Sequence, residues 1–446
     1  MSKIKEVIKR NGTIVPFNPD RIMNAIYRAV VAVGGRDKNM ARKLADKVVV
    51  ELEKRVPEGF KPNIEEIQDV VEKVLIEEGH AQVAKQYILY REEQKQKRES
   101  NAEQGTRSAD KVPWEKIWHI LDWSVDNELN TIDKINEKID AGKFSEIVQL
   151  SEKLYERDVD RAAEFILNKS KNLKMVFISG PSSSGKTTTT IKLEQRLKKH
   201  GLSFVTLNVD HYFFDLELHP KDEFGDYDFE TPQALDLALI NEHLRKLAEG
   251  ELVRIPSYDF KEGKRTLDQT PMQINDNEII LIDSLHGLYP QFSEGIDNDL
   301  KFKLYLEPLL QVKGPDKKYV QWTDIRLMRR MLRDSVQRAY NPQQTLEHWH
   351  YVRSSEIRHI IPYSNSADYI ISSGMPYEIA LYRARLIDKF EEWVEKFKDN
   401  PLKEDAYRRA VRTLKVLQAI RPVEDDSAVP KDSVLREFIG GSVFEY

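Results

Sequence analysis

The residues best suited to do chemistry form one short run, Gly180-Pro-Ser-Ser-Ser-Gly185-Lys186-Thr187. Its spacing is G-x-x-x-x-G-K-[ST]. It follows the apolar run MVFIS (175–179) and precedes the helical pattern TTTIKLEQRLKK. Glycines at these positions let backbone N–H groups converge on phosphate oxygens, and the helix N-terminus adds a favourable dipole. Gly180, Ser182, Ser183, Ser184, Gly185, Lys186, Thr187 and Thr188 are therefore expected to wrap a nucleoside triphosphate. Lys186 would reach its β- and γ-phosphates, and the Thr187 hydroxyl would ligate Mg²⁺.

Two carboxylates belong to the same crevice if the strands around the loop are parallel. Asp210 ends the run FVTLNV (204–209), and Asp283 closes EIILID (278–283). Ligands of such sheets sit beyond the carboxyl ends of the strands. Asp210 could accept the proton of an attacking hydroxyl, or serve only as a helix cap. Asp283 is placed to hold Mg²⁺ directly or through water. His211 reads as a local packing or hydrogen-bonding residue, since no second histidine stands at ligand spacing. Between Asp324 and Arg338, Arg326, Arg330 and Arg333 share one helical face, with Arg329 alongside and Arg338 a turn beyond. Such a run is either a solvated face or a mobile lid that neutralises charge on a transferring phosphoryl group.

The elements that must position these groups follow from patterning. Five short apolar runs, at 175–179, 204–209, 278–283, 302–306 and 368–372, are separated by helix-length segments. They predict an α/β fold: a P-loop-type parallel sheet covered by helices. Ahead of it lies a small α-rich module opened by a hairpin, with Lys3–Arg10 and Thr13–Phe17 flanking Asn11-Gly12, a dipeptide suited to a tight turn. A first helix carries Ile22, Ile26, Val30 and Val33. A second carries Leu44, Val48 and Leu52. Asn63 with Glu66 signals the start of a third, and a fourth runs from Ala81 to about Lys97. The expected division is 1–98, a linker and helical arm at 99–172, a catalytic domain at 173–375 and a helical extension at 376–446.

With 446 residues, more than one domain is expected. Lys+Arg 69 against Asp+Glu 74 leaves −5, which gives no support to a nucleic-acid surface. The absence of cysteine excludes disulfides, thiolate chemistry and cysteine-ligated metals. No apolar stretch approaches the ~20 residues needed to span a bilayer. Neither a membrane nor a nucleic-acid partner is expected, a cytoplasmic location is, and a homo-oligomer stays open.

From about Ser151 onward the chain resembles the uridine kinase/phosphoribulokinase group of P-loop kinases, in particular bacterial uridine-kinase-like proteins with an extra N-terminal domain. The resemblance is carried by GPSSSGKTT (180–188), NVDHYF (208–213), DYDFETPQALD (226–236), IPSYDFKEGKR (255–265), DSLHGLYP (283–290), TDIRLMRRMLRD (323–334) and REFIGG (436–441). It implies ATP as phosphoryl donor and a small-molecule acceptor, with Asp210 accepting the proton of a sugar 5′-hydroxyl. Glu230 would bind ribose hydroxyls, Tyr258 would line the base pocket, and Arg265 would join the acceptor site. Arg330, Arg333 and Arg338 fall in the lid region, Arg333 and Arg338 being the expected catalytic phosphate contacts. Two positions depart from the pattern. Gly263 stands where uridine–cytidine kinases place a pyrimidine-reading histidine, and Asp283-Ser284 replaces a Glu-Gly. A nucleoside is the expected acceptor; a sugar or polyol, or a nucleotide switch without acceptor, stays open.

Residues 3–95 resemble the ATP-cone, an adenine-nucleotide-sensing domain, through VIKRNG (7–12), PFNPDRI (16–22), IQDVVE (67–72) and AKQYILYR (84–91). The resemblance implies that Val7, Lys9, Arg10, Asn18, Arg21, Ile22 and Arg91 surround an ATP or dATP effector.

Overall fold

The computed structural model describes residues 3–8, 14–55, 61–89, 91, 112–220, 230–275, 277–337, 341–400 and 403–445. The chain divides into two compact units, residues 1–109 with 220–228 and 399–404, and the remainder.

In the first unit β1 (Glu6–Ile8) pairs antiparallel with β2 (Ile14–Pro16), Val7 opposite Val15. The expected Asn11-Gly12 turn lies outside the described residues. Pro19 opens α1 (Pro19–Ala32), and the Asn18 side chain accepts from the Asp20 N–H as its cap. Ile22, Ile26 and Val30 are buried, but Val33 is 38% exposed. The helix ends at Ala32 and Gly34 turns the chain at φ +87°, so Val33 leaves the apolar stripe. Leu44, Val48 and Leu52 of α2 (Lys38–Arg55) meet Val70, Val71 and Val74 of α3 (Ile64–Glu77) in the same core. Asn63 and Glu66 form the reciprocal cap expected at the start of α3. Residues 81–89 are helical and add Val83, Ala84 and Tyr87 to that core.

In the second unit α4 (Trp114–Asp126), α5 (Ile132–Asp140) and α6 (Phe144–Lys169) precede the first sheet strand. Five parallel strands follow, in the spatial order β4 (Ser203–Thr206), β7 (Glu278–Asp283), β3 (Met175–Ser179), β8 (Lys301–Glu307), β9 (Tyr369–Ser372). Both faces are covered, and the side-chain alternation of the strands divides them. Val176, Ile178, Ile279 and Leu281 face one core, which also holds Tyr155, Val159 and Ile166 of α6. Met175, Phe177, Ile280 and Ile282 face the other, against α8 (Leu237–Ala248) and β5 (Val253–Asp259). The segment read as an arm thus supplies a core wall: the Tyr155 hydroxyl lies 2.7 Å from Thr189 Oγ1 on α7 (Lys186–Lys198).

The antiparallel hairpin of β5 with β6 (Lys264–Met272) was not expected from the sequence. Most β6 side chains are exposed, so no apolar alternation marks it. After β8 come α9 (Trp322–Gln337) and α10 (Pro342–His359). Beyond β9 lie α11 (Glu378–Phe397), α12 (Glu404–Ala419) and the short α13 (Arg436–Ile439).

Candidate active site

The loop after β3 is built as its spacing requires. Gly185 caps α7 at φ +91°, and Ser183 takes φ +60°, a left-handed conformation uncommon for a residue with a side chain. A Cβ on Gly180 would stand 2.3 Å from the Leu306 carbonyl oxygen, so only glycine lets the loop pass over β8. Lys186 Nζ donates to the Gly180 carbonyl at 3.1 Å. Ser182, Ser183, Ser184, Gly185, Lys186 and Thr187 line a pocket of ≈ 200 Å³, with Glu230, Leu285, Arg330, Arg333 and Glu437 completing its wall. That volume suits a phosphate chain rather than a whole nucleotide with its acceptor.

Asp210 does not end a strand: β4 stops at Thr206, and Asp210 lies in a 3₁₀ turn, Val209–Tyr212. Val209 and Tyr212 are buried, and the Asn208 side chain caps the turn by accepting from the Asp210 N–H at 3.0 Å. The cap role therefore falls to Asn208, and among the described residues no hydrogen bond engages the Asp210 carboxylate. Asp210 is exposed and does not line that pocket, yet the protein crowded around it raises its carboxyl above the ordinary range, against the pull of His211 and Lys186. His211 is a hydrogen-bonding residue, its Nδ1 accepting from the Tyr258 N–H at 3.3 Å.

Asp283 ends β7 beside Ile178 of β3 and is half-buried. Burial raises its carboxyl; Lys186 opposes the rise, while Glu437 and Asp210 add to it. Its carboxylate and the Thr187 hydroxyl are the hard oxygen donors that suit a magnesium ion retaining several waters.

The arginine run is neither a solvated face nor a loose lid. Ile325, Leu327, Met328 and Met331 seat α9 in the core, and Arg326 and Arg329 are fully buried. Arg326 pairs with Glu356, and Arg329 donates to both Glu378 oxygens at 2.8 and 3.0 Å and to the Ser373 carbonyl at 2.6 Å. Arg330 and Arg333 turn instead to the pocket. Arg330 donates to Ser182 Oγ at 3.3 Å and stands 3.9 Å from the Glu230 carboxylate. Arg338 and residues 226–229 of one family motif lie outside the described residues.

Of the residues expected to bind an acceptor, Tyr258 lies outside the pocket lining and is buried among Phe213, His219 and Phe260, with ring centroids 5.6, 6.3 and 4.9 Å away. Arg265 pairs with Asp236 at 2.9 Å and lies over the Phe214 ring. Gly263 turns the β5–β6 hairpin at φ +66°, its N–H donating to the Asp259 carbonyl, and a Cβ there would stand 2.8 Å from Leu216 Cβ. A histidine has no room at this position. Gly263→His is expected to cost about 1–3 kcal/mol of stability from the strained backbone alone, read as a lower denaturation midpoint. A wild-type midpoint would show that the turn relaxes.

Glu437 is the site residue that the sequence left without a role, although REFIGG contains it. Its only local signal is that motif, because its partner Thr188 lies 249 residues away. In the first unit Val7 and Ile22 are buried, Asn18 is the helix cap and Arg21 is exposed. Arg91 contacts Asp69 and Glu72, both at 2.7 Å. Lys9 and Arg10 lie outside the described residues.

The model of the phosphoribulokinase/uridine kinase family matches residues 175–380, and that of the ATP cone domain matches residues 5–96. The uridine kinase of Borrelia turicatae is 30% identical over 211 residues, 47% of this chain and 91% of its own length. The chain belongs to the phosphoribulokinase/uridine kinase family. Its members are phosphotransferases acting on hydroxyl groups, and so is this chain. Another family relative, uridine-cytidine kinase B of Dictyostelium discoideum, is 26% identical over 213 residues, 48% of this chain and 79% of its own. Outside the family, the vitamin B12-dependent ribonucleoside-diphosphate reductase of Thermoplasma acidophilum is 44% identical over 109 residues, 23% of this chain and 14% of its own. Among the described residues no helix is long and apolar enough to cross a membrane.

Proposed function

We propose that the chain transfers the γ-phosphoryl group of ATP to the 5′-hydroxyl of a nucleoside of the uridine/cytidine type. The observation that carries this reading is one crevice in which a glycine-built phosphate loop, Arg330 and Arg333 meet the Glu230 carboxylate, with Asp210 outside its lining but within electrostatic reach of Lys186. A nucleotide switch needs the loop but has no use for carboxylates such as Asp210 and Glu230 set to engage an acceptor.

In this reading the loop amides and Lys186 hold the β- and γ-phosphates. Thr187 and Asp283 hold Mg²⁺, which supplies charge compensation on the phosphates when bound. Asp210 accepts the acceptor's proton, Glu230 fixes its hydroxyls, and the Arg330 and Arg333 guanidiniums offset charge building on the phosphoryl oxygens. A second reading, a sugar or polyol acceptor, is favoured by Gly263, where the packing against Leu216 leaves no side chain to read a pyrimidine edge. An ATP-consumption screen with Mg²⁺ against uridine, cytidine, purine nucleosides, pentose phosphates and polyols separates the two. Preference for a pyrimidine nucleoside supports the first reading, and preference for a sugar overturns it in favour of the second.

The cone gives the same enzyme an adenine-nucleotide effector site in this reading. Binding of ATP or dATP there changes turnover or assembly, and the coupling must be reciprocal in binding. Arg91→Ala is expected to blunt the response to dATP while leaving turnover without effector in place; an unchanged response would remove Arg91 from the effector site.

A further inference from the structure

We propose that Glu437 makes the phosphate pocket selective for the metal-bound nucleotide over the free one. This inference rests on the reading of ATP as donor. The Glu437 carboxylate is supplied by α13 and lines the same pocket as Ser182–Thr187, Arg330 and Arg333. Its Oε2 accepts from Thr188 Oγ1 at 2.9 Å and from the Thr188 N–H at 3.3 Å. Thr188 is the third residue of α7, and its N–H belongs to the first turn, where no intrahelical acceptor exists. An anion of the protein itself therefore sits on a donor at the helix end that attracts phosphate.

This carboxylate is not carried on a swinging arm. Val434 lies so close under the loop that a Cβ on Gly185 would stand 2.5 Å from its Cγ2. The Ser433 hydroxyl donates to Glu152 at 2.5 Å, and the Leu435 N–H donates to Ser433 Oγ. Arg436 donates to the Asp426 carboxylate at 3.0 Å and to the Val429 carbonyl at 2.8 Å, and Arg329 lies over the Phe438 ring. The charge is thus a fixed part of the pocket wall, with Glu230 further along the same wall and Asp283 close enough to feel it.

A triphosphate without metal brings up to four negative charges against this wall, and a divalent cation cancels two of them. Repulsion by a fixed carboxylate therefore penalises free ATP more than its magnesium complex, and that difference is selectivity. Thr188, held through its N–H and hydroxyl, stays in register beside Thr187 in both cases. Glu437→Gln keeps an oxygen that can accept from Thr188 but removes the charge.

The test is calorimetric titration of the full-length protein with ATP, once in Mg²⁺ and once in EDTA, for wild type, Glu437→Gln and Glu437→Asp. Wild type is expected to bind free ATP at least about tenfold more weakly than the magnesium complex. Glu437→Gln should tighten free ATP by about tenfold and alter the magnesium complex far less, as removal of one nearby charge at intermediate dielectric implies. Glu437→Asp should retain a metal preference. The same preference in Glu437→Gln as in wild type overturns the proposal, as does a wild type that binds both forms equally. If the glutamine variant does not fold, Glu437→Ala takes its place in the same titration with the same criterion. A wild type that binds ATP in neither condition removes the donor assignment itself, and this proposal falls with it.

Discussion

Asp210→Asn is expected to fold and bind ATP as wild type does while losing about 10²–10⁴-fold in turnover, the usual worth of a positioned general base. The expectation is specific because Asn208, not Asp210, caps the local turn, so the substitution removes a carboxylate without removing a structural bond. The same carboxylate sets a pH dependence. Its protonation is raised above the ordinary range by the surrounding protein, and the base works only when ionised. Activity should therefore fall as pH falls, with an acid limb above the ~4 of a free aspartate. The residual activity of the asparagine variant should lack that limb. Wild-type turnover in the variant would take Asp210 out of the reaction.

Arg329→Met should instead act on stability, by about 3–5 kcal/mol, because it strands the fully buried Glu378 carboxylate without its cation. Tyr382 donates to Glu378 Oε2 at 2.7 Å, which cannot replace a charge. The contrast with Arg333→Met is the informative part. Arg333 lines the phosphate pocket and donates to the buried Asp334 carboxylate at 3.0 Å, but Asp334 keeps Arg330 as a second partner at 3.4 Å. Loss of Arg333 should therefore cost less stability than loss of Arg329 while lowering turnover about 10²–10³-fold. Thermal melting and steady-state rates on the two variants separate the roles. An Arg329→Met protein that melts like wild type, or an Arg333→Met protein with full turnover, would contradict this division of one helix.

What could be read from the sequence was whatever is encoded by neighbours along the chain. The phosphate loop needs its glycines, lysine and threonine within eight residues, and the buried parallel strands announce themselves as uninterrupted apolar runs. The capping pair Asn63 and Glu66 is local in the same way. The arginine run shows where this stops. Arg326, Arg329, Arg330 and Arg333 recur at i, i+3, i+4 and i+7 along one side of α9, so periodicity could not say which of them are inside. The choice is made by Glu356 and Glu378, far along the chain, which compensate Arg326 and Arg329 in the core. Asp210 is presented by a capped turn rather than by the expected strand end, because β4 stops at Thr206. The β5–β6 hairpin was hidden because β6 is polar and exposed along most of its length. Glu437 was hidden because its meaning is a contact across the fold, and nothing about a glutamate beside an arginine and a phenylalanine marks it as a wall of the phosphate pocket.

The most direct test of the central claim is the fate of the γ-phosphate, followed by ³¹P NMR in a mixture of the protein, ATP, Mg²⁺ and the acceptor that most accelerates ATP consumption. Transfer to a hydroxyl predicts ADP together with a new phosphomonoester resonance, both appearing about 10²–10⁴-fold more slowly with Asp210→Asn. ADP accompanied only by inorganic phosphate, at a rate indifferent to acceptor and to Asp210, would contradict it.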